Sequence, residues 1–305
     1  MKKGCCQDVP AKSIVILVVA AVVLTPMFAA GEPAAPPRLA IRCDDTGMCH
    51  TVNMALRRFI ESGLPFSTSV MFACPWYLEA VEILRDHPEV SVGVHLTLNS
   101  EWEHYKWGPV LGSSRVPTLV DARGHFFASE EEFAARDVNL REVEAELRAQ
   151  IDRALWTGLR IDYLDYHMRT AISTPELRTV VEELAREYRL GLAHYLGEDS
   201  TSIWDVEPEN KLSRLLQIVD EAPAGMVTLT VIHLGLENPE MSALVDLNNP
   251  RDPFRVARHR QAELHAITSH AFRNAIARRG IELVTYRDIV QQMGIDAVIG
   301  KSPRR

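Results

Sequence analysis

Cysteine is scarce in this 305-residue chain, five in all, and two of them (Cys5 and Cys6) precede an apolar stretch. The other three, Cys43, Cys49 and Cys74, are odd in number and form no Cys-x-x-Cys pair, which argues against a zinc knuckle or a disulfide scaffold. Buried structural thiols are expected, with one disulfide plus a free thiol as the alternative. No Gly-x-Gly-x-x-Gly follows any strand-like run, which removes the main signal for an open dinucleotide-binding sheet. Positive charge is short as well. Lys and Arg number 33 against 41 Asp and Glu, for a net charge of −8, a poor balance for nucleic acid or an anionic membrane surface. There is no internal repeat.

The long hydrophobic run lies at the start. Met1-Lys2-Lys3 and Lys12 are basic, Ser13 to Ala30 is nearly all apolar, and Ala29-Ala30-Gly31 supplies small residues for cleavage after Gly31. Residues 1–31 read as a signal peptide, which implies export to the periplasm or medium. An uncleaved membrane anchor is the alternative, and would be the chain's only tie to a membrane. Cleavage would remove Lys2, Lys3, Lys12 and Asp8 and take the net charge from −8 to −10. Residues 32–37 (Glu-Pro-Ala-Ala-Pro-Pro) form a stiff linker. Residues 38–295 carry the fold, and 296–305 a short tail.

Within 38–295, strand-like and helix-like segments alternate. Strands are expected at Arg38–Cys43, Ser67–Phe72, Val90–Leu98, Arg160–Asp165, Leu190–Tyr195, Met226–Leu234 and Ile281–Val284. Helices are expected at Cys49–Ser62, Tyr77–His87, Glu130–Thr157, Pro175–Tyr188, Lys211–Ile218, Pro253–Arg279 and Tyr286–Met293. Glu101 to Phe127 is irregular and is expected to cover the mouth of a site. Strands separated by helices imply parallel pairing with right-handed crossovers. The fold class is α/β, a distorted or incomplete (β/α) TIM-like barrel in a single domain.

Chemistry-bearing residues recur at the strand ends. Asp44-Asp45 closes the first strand, His95 ends the third, Asp165-x-His167 the fourth and His233 the sixth. Two adjacent carboxylates repel unless a cation or a shared proton compensates them. Carboxylate oxygen and neutral imidazole nitrogen both bind divalent metal ions, and a parallel α/β sheet presents functional side chains at that edge. One carboxylate of such a pair can bind the ion while the other takes a proton from the attacking water. Taken singly, each residue has a bland reading as a turn, cap or core side chain; on one edge together they fit one metal site. Trp102 and Trp107, in the irregular stretch, could stack on a sugar ring or simply pack their own loop.

The order Asp44-Asp45-x-Gly47, Gly93-x-His95-Leu96, Asp165-x-His167 and His233-x-Gly235 resembles the YdjC-like carbohydrate deacetylases, the chitooligosaccharide deacetylase family. Val116-Pro-Thr-Leu-Val-Asp-Ala-Arg-Gly124-His-Phe, Arg260-Gln-Ala-Glu-Leu264 and Gly280-Ile-Glu-Leu-Val-Thr-Tyr286 extend the similarity over roughly residues 38–292. The resemblance implies one divalent ion, of Mg, Zn or another type, held by Asp45, His95 and His167, with Asp44 as general base. His233 would act as general acid or orient the substrate, and Asp165 would orient His167 or a substrate. The implied activity is removal of acetyl groups from N-acetylated amino sugars or oligosaccharides. Hydrolysis of another C–N or ester bond, and a catalytically silent carbohydrate-binding envelope protein, are the alternatives. Arg169 stands where many members carry a second histidine, Thr46 where Phe is frequent, and Leu234 where Pro is usual. These departures bear on the sugar rather than on the proposed ligands.

Overall fold

Alternate residues of a strand face opposite ways, and in this protein that alternation sorts helix-facing residues from site-facing ones. The computed structural model describes residues 35–296, with Met1 and Gly4. The proposed leader, apart from those two residues, the linker up to residue 34 and the tail from 297 lie outside the described residues. From residue 35 onward the described chain is one compact unit, and no helix among the described residues is long and apolar enough to cross a membrane.

The strands are β1 (Arg38–Thr46), β2 (Ser67–Val70), β3 (Ser91–Leu96), β4 (Ile161–Tyr166), β5 (Gly191–Leu192), β6 (Glu198–Ser202), β7 (Val227–His233) and β8 (Glu282–Val284). The helices are α1 (His50–Ile60), α2 (Tyr77–Arg85), α3 (Glu130–Ala134), α4 (Leu140–Trp156), α5 (Pro175–Tyr188), α6 (Lys211–Glu221), α7 (Pro239–Ser242), α8 (Val256–Thr268), α9 (His270–Arg279) and α10 (Tyr286–Met293). The sheet runs β5-β4-β3-β2-β1-β7-β6, with every pairing parallel. β7 takes one edge of β1. The other edge is shared, with β8 opposite Arg38–Ala40 and β2 opposite Arg42 onward. Among the described residues β5 and β6 end the order without meeting, so the sheet is the incomplete TIM-like barrel expected.

Leu39, Ile41 and Cys43 of β1 and Val92, Val94 and Leu96 of β3 pack in the larger core with the helices. The intervening series faces inward. Ala40, Tyr163, Leu229 and Val231 form a second, smaller core with Tyr286 and Ile289 of α10. Gly93 belongs to this inward series because a Cβ there would lie 2.5 Å from the Tyr163 ring, which stacks on Tyr286 at 4.1 Å. Above these apolar layers the same inward positions become Arg42, Asp44, Ser69, His95, Asp165 and His233. Parallel register sets His95 opposite Asp165 and Asp44 opposite His233.

Two expected helices need correction, the expected strand Leu190–Tyr195 contracts to Gly191–Leu192, and one strand is new. The helix over Glu130–Thr157 is two, because Asn139 starts a new one, its side chain accepting from the Arg141 N–H. The helix over Pro253–Arg279 begins at Val256 and breaks at Ser269, whose extended backbone ends α8 and whose hydroxyl caps α9 at Phe272 N–H. β6 reads Glu-Asp-Ser-Thr-Ser, with no apolar alternation to mark it, and was not expected. Cys43, Cys49 and Cys74 are free and buried. Burial raises the Cys43 and Cys49 thiols to about 12 and about 11, as expected for structural rather than reactive thiols.

Candidate active site

Neighbouring residues on a strand cannot both face one cavity unless the backbone intervenes. At the end of β1 it does. The pairing of β1 with β2 shifts between Cys43 and Thr46, and Asp45 takes a left-handed φ of 63°. This bulge turns Asp45 inward beside Asp44, so that both carboxylates line one cavity of about 300 Å³. Gly47 completes the turn at φ 85°, where a Cβ would crowd the Tyr77 backbone at 3.1 Å.

Asp45, His95 and His167 converge. Asp45 Oδ1 lies 3.1 Å from His167 Nδ1 and 3.4 Å from His95 Nε2, and those two nitrogens are 3.3 Å apart. All three residues are buried, and Asp45 Oδ1 has no hydrogen-bond partner. Donors around an ion at roughly 2.0–2.2 Å sit about 3.0–3.5 Å from one another in tetrahedral or octahedral arrangements. The orphaned oxygen and the size of this triangle therefore fit a divalent ion. The donor set, one carboxylate and two imidazoles, suits Zn, Mn, Co or Ni, and Mg where water completes the coordination.

Each imidazole is anchored through its other nitrogen. His95 Nδ1 meets Asp165 Oδ1 at 2.9 Å, and His167 Nε2 meets Glu101 Oε2 at 2.9 Å. Such partners fix ring orientation and raise the basicity of the ligating nitrogen. Asp165 thus orients His95 rather than His167. Glu101, which sequence reasoning did not single out, holds His167. Burial alone would lower both imidazoles, but Asp165 and Asp44 carry His95 up to about 10, and Glu101 and Asp45 carry His167 up to about 9. Burial would likewise raise the Asp45 carboxyl; the Arg260 guanidinium, 2.5 Å from its Oδ2, and His167 hold it well below the usual carboxylate range.

Asp44 is held differently. Arg42, two residues earlier and so on the same face, grips it with Nε at 2.7 Å and Nη2 at 2.8 Å. His233 closes another side of the cavity. Its backbone N–H donates to Glu263 Oε2 at 2.6 Å, and Glu263 pairs with the fully buried Lys211 at 2.9 Å. Burial pushes the His233 imidazole down to about 4, so it is neutral at ordinary pH; its Nδ1 has no hydrogen-bond partner, with Glu263 Oε2 4.0 Å away.

The aromatic expectation is corrected in part. Trp102 lines the cavity but is only 2% exposed, with its indole N–H on Met48 Sδ. Trp107 is buried behind His167 and donates to the Asn99 carbonyl, so it offers the cavity no face. The half-buried aromatic that lines the cavity is Trp204, next to the His233 ring at 5.1 Å. Arg260, on helix α8, is the cation beside Asp45. Gly235, the glycine of His233-x-Gly235, leaves room for Arg260, since a Cβ there would lie 2.9 Å from the Arg260 Cβ. Helix α8 carries His259, Arg260 and Glu263 on a buried face.

The family model described as YdjC-like protein matches residues 38–278. The chain belongs to the YdjC-like family. A protein of Enterococcus faecalis named carbohydrate deacetylase is 30% identical over 267 residues, covering 83% of this chain and 98% of that one. Another of that name from Vibrio parahaemolyticus is 26% identical, over 83% of this chain and 96% of its own. Among solved structures, an E. faecalis protein whose name refers to cellobiose-phosphate cleavage superposes with a TM-score of 0.69. That match is 26% identical and covers 83% of this YdjC-like chain and 98% of its own.

Proposed function

We propose that this YdjC-like protein is a divalent-metal-dependent deacetylase acting on N-acetylated amino sugars or oligosaccharides. The observation that carries the reading is the triangle of Asp45 Oδ1, His95 Nε2 and His167 Nδ1, each imidazole backed by a carboxylate. Relatives named carbohydrate deacetylase over nearly their whole length support the substrate class.

Asp45, His95 and His167 would hold the ion. When bound there, a divalent ion polarises an amide carbonyl and lowers the pKa of water. The remaining steps belong to the chain. Asp44 faces the cavity as a carboxylate fixed by Arg42, able to take a proton from the attacking water and return it to the departing amine. His233 is neutral in the resting site, which favours an orienting role for its N–H toward the acyl oxygen over that of a standing proton donor. Trp204, half-buried on the cavity wall, offers a face on which a sugar ring can rest. We also propose export through a cleaved 1–31 leader; a mature protein beginning at Glu32 in the culture medium or periplasm supports this, retention of Met1 in the membrane fraction favours the uncleaved anchor instead, and an intact chain in the cytosol overturns export.

Acetate release from a panel of N-acetylated mono- and oligosaccharides, with and without added divalent ions, tests the function. Release that depends on the ion is the expected result. Ion binding without acetate release from any sugar would instead favour hydrolysis of another bond or a silent carbohydrate-binding role.

A further inference from the structure

Beside the triangle lies a second group with ligand-like geometry. Asp44, His95 and Asp165, all buried, each offer one ligand atom within 4.8 Å of the others. This group shares His95 with the first, and Asp165 takes the opposite ring nitrogen, Nδ1. Its centre, however, already has a cation. Arg42 Nε sits 2.7 Å from Asp44 Oδ1 and 3.0 Å from Asp165 Oδ2, while Nη2 reaches Asp44 Oδ2 at 2.8 Å. Arg42 is 4% exposed, and its guanidinium also meets the Tyr286 hydroxyl at 3.5 Å.

We propose that Arg42 is the resident second cation of the site, filling the position between Asp44 and Asp165 that would otherwise take a second divalent ion. Two buried carboxylates this close need positive charge between them, since burial and mutual repulsion both disfavour the ionised pair. A planar guanidinium meets that need with fixed donor directions. The contrast with the first group supports the assignment. Arg260 takes the outer oxygen of Asp45 and leaves Oδ1, His95 Nε2 and His167 Nδ1 facing one another with no guanidinium among them. Arg42 is therefore a positioning residue. It ties Asp44, the proposed base, to Asp165, the anchor of His95, and restricts the site to one ion.

The test is ion stoichiometry, measured by equilibrium dialysis against Mn(II) followed by metal analysis. Arg42→Met is expected to bind one more ion per chain than the wild type, and Arg42→Met/Asp165→Asn to lose that extra ion. A folded Arg42→Met protein that binds no more ions than wild type overturns the proposal, as does an extra ion that persists in the double variant. If Arg42→Met folds only with Mn(II) present, that dependence supports the proposal, because the ion then replaces the lost charge. Should it not fold at all, spin-resonance spectra of the wild type decide. Isolated Mn(II) is expected, and a dipolar-coupled Mn(II) pair beside an intact Arg42 contradicts the assignment. The inference takes the proposed triangle only as its neighbour. A wild type that binds no ion sinks the triangle, whereas the difference between variant and wild type decides the role of Arg42.

Discussion

Arg260 grips Asp45 Oδ2 at 2.5 Å and leaves Oδ1, the orphaned oxygen, turned toward His95 and His167. One arginine on helix α8 thereby decides which face of a strand-end carboxylate meets the imidazole pair.

Arg260→Met should therefore free the carboxylate to rotate and weaken ion binding by roughly 10–100-fold, the usual effect of losing a partner behind a ligand. Asp165→Asn and Glu101→Gln should do the same through His95 and His167. Chelator competition measures each affinity. Unchanged affinity in all three would mean that these contacts do not support a ligand set.

Asp44 is the residue whose loss should separate binding from turnover. Asp44→Asn keeps the shape of the side chain and should retain the ion while lowering kcat by about 10²–10⁴-fold, the range of general base catalysis. Full activity in that variant would remove Asp44 from the mechanism.

Protons and the ion compete for the same two imidazoles. In the ion-free protein His95 rises to about 10 and His167 to about 9. Both then hold protons at neutral pH, and ion binding must release them. Affinity should climb with pH across the neutral range and level off only as pH passes about 9 to 10, where the two imidazoles have lost their protons. Calorimetry in buffers of different ionisation enthalpy should detect the released protons. The same raised values stabilise the ion-free fold fully below the unfolded imidazole value, and that contribution is lost as pH rises through 9 to 10. Affinity independent of pH would contradict the assignment.

His233 makes the opposite prediction. With its imidazole lowered to about 4 by burial, it changes charge well below the working range. His233→Ala should lower kcat without moving the acid limb of the rate profile between pH 5 and 8. A limb that disappears with His233 would make it the titrating acid instead.

Much of this arrangement can be read from the chain, and the reasons are specific. His95 ends a strand whose outward residues, Val92, Val94 and Leu96, are plainly apolar, so alternation turns it inward; Asp165 and His233 are marked by their place at the ends of strand-like runs rather than by a clean alternation, since Asp162, Thr228 and Thr230 lie on the opposite faces. Other features depend on backbone detail that periodicity does not carry. The left-handed Asp45 and the β1 bulge bring two consecutive carboxylates into one cavity, although simple alternation would separate them. Glu101 sits in an irregular stretch with no pattern to mark it as the partner of His167. Trp204 follows a polar strand, β6, that lacks the usual apolar signature. On α8, Arg260 and Glu263 have no marked role until Asp45 and His233 are seen to be their partners. Arg42 had a weak signal: two residues before Asp44 on a strand, it had to share the same face.

The central claim is that Asp45, His95 and His167 hold one divalent ion. Metal analysis of the purified wild type after dialysis against Zn(II) or Mn(II), beside Asp45→Ala, tests it most directly. One ion per chain in the wild type and none in the variant is the predicted result; equal ion content in the two proteins, or none in either, would contradict it.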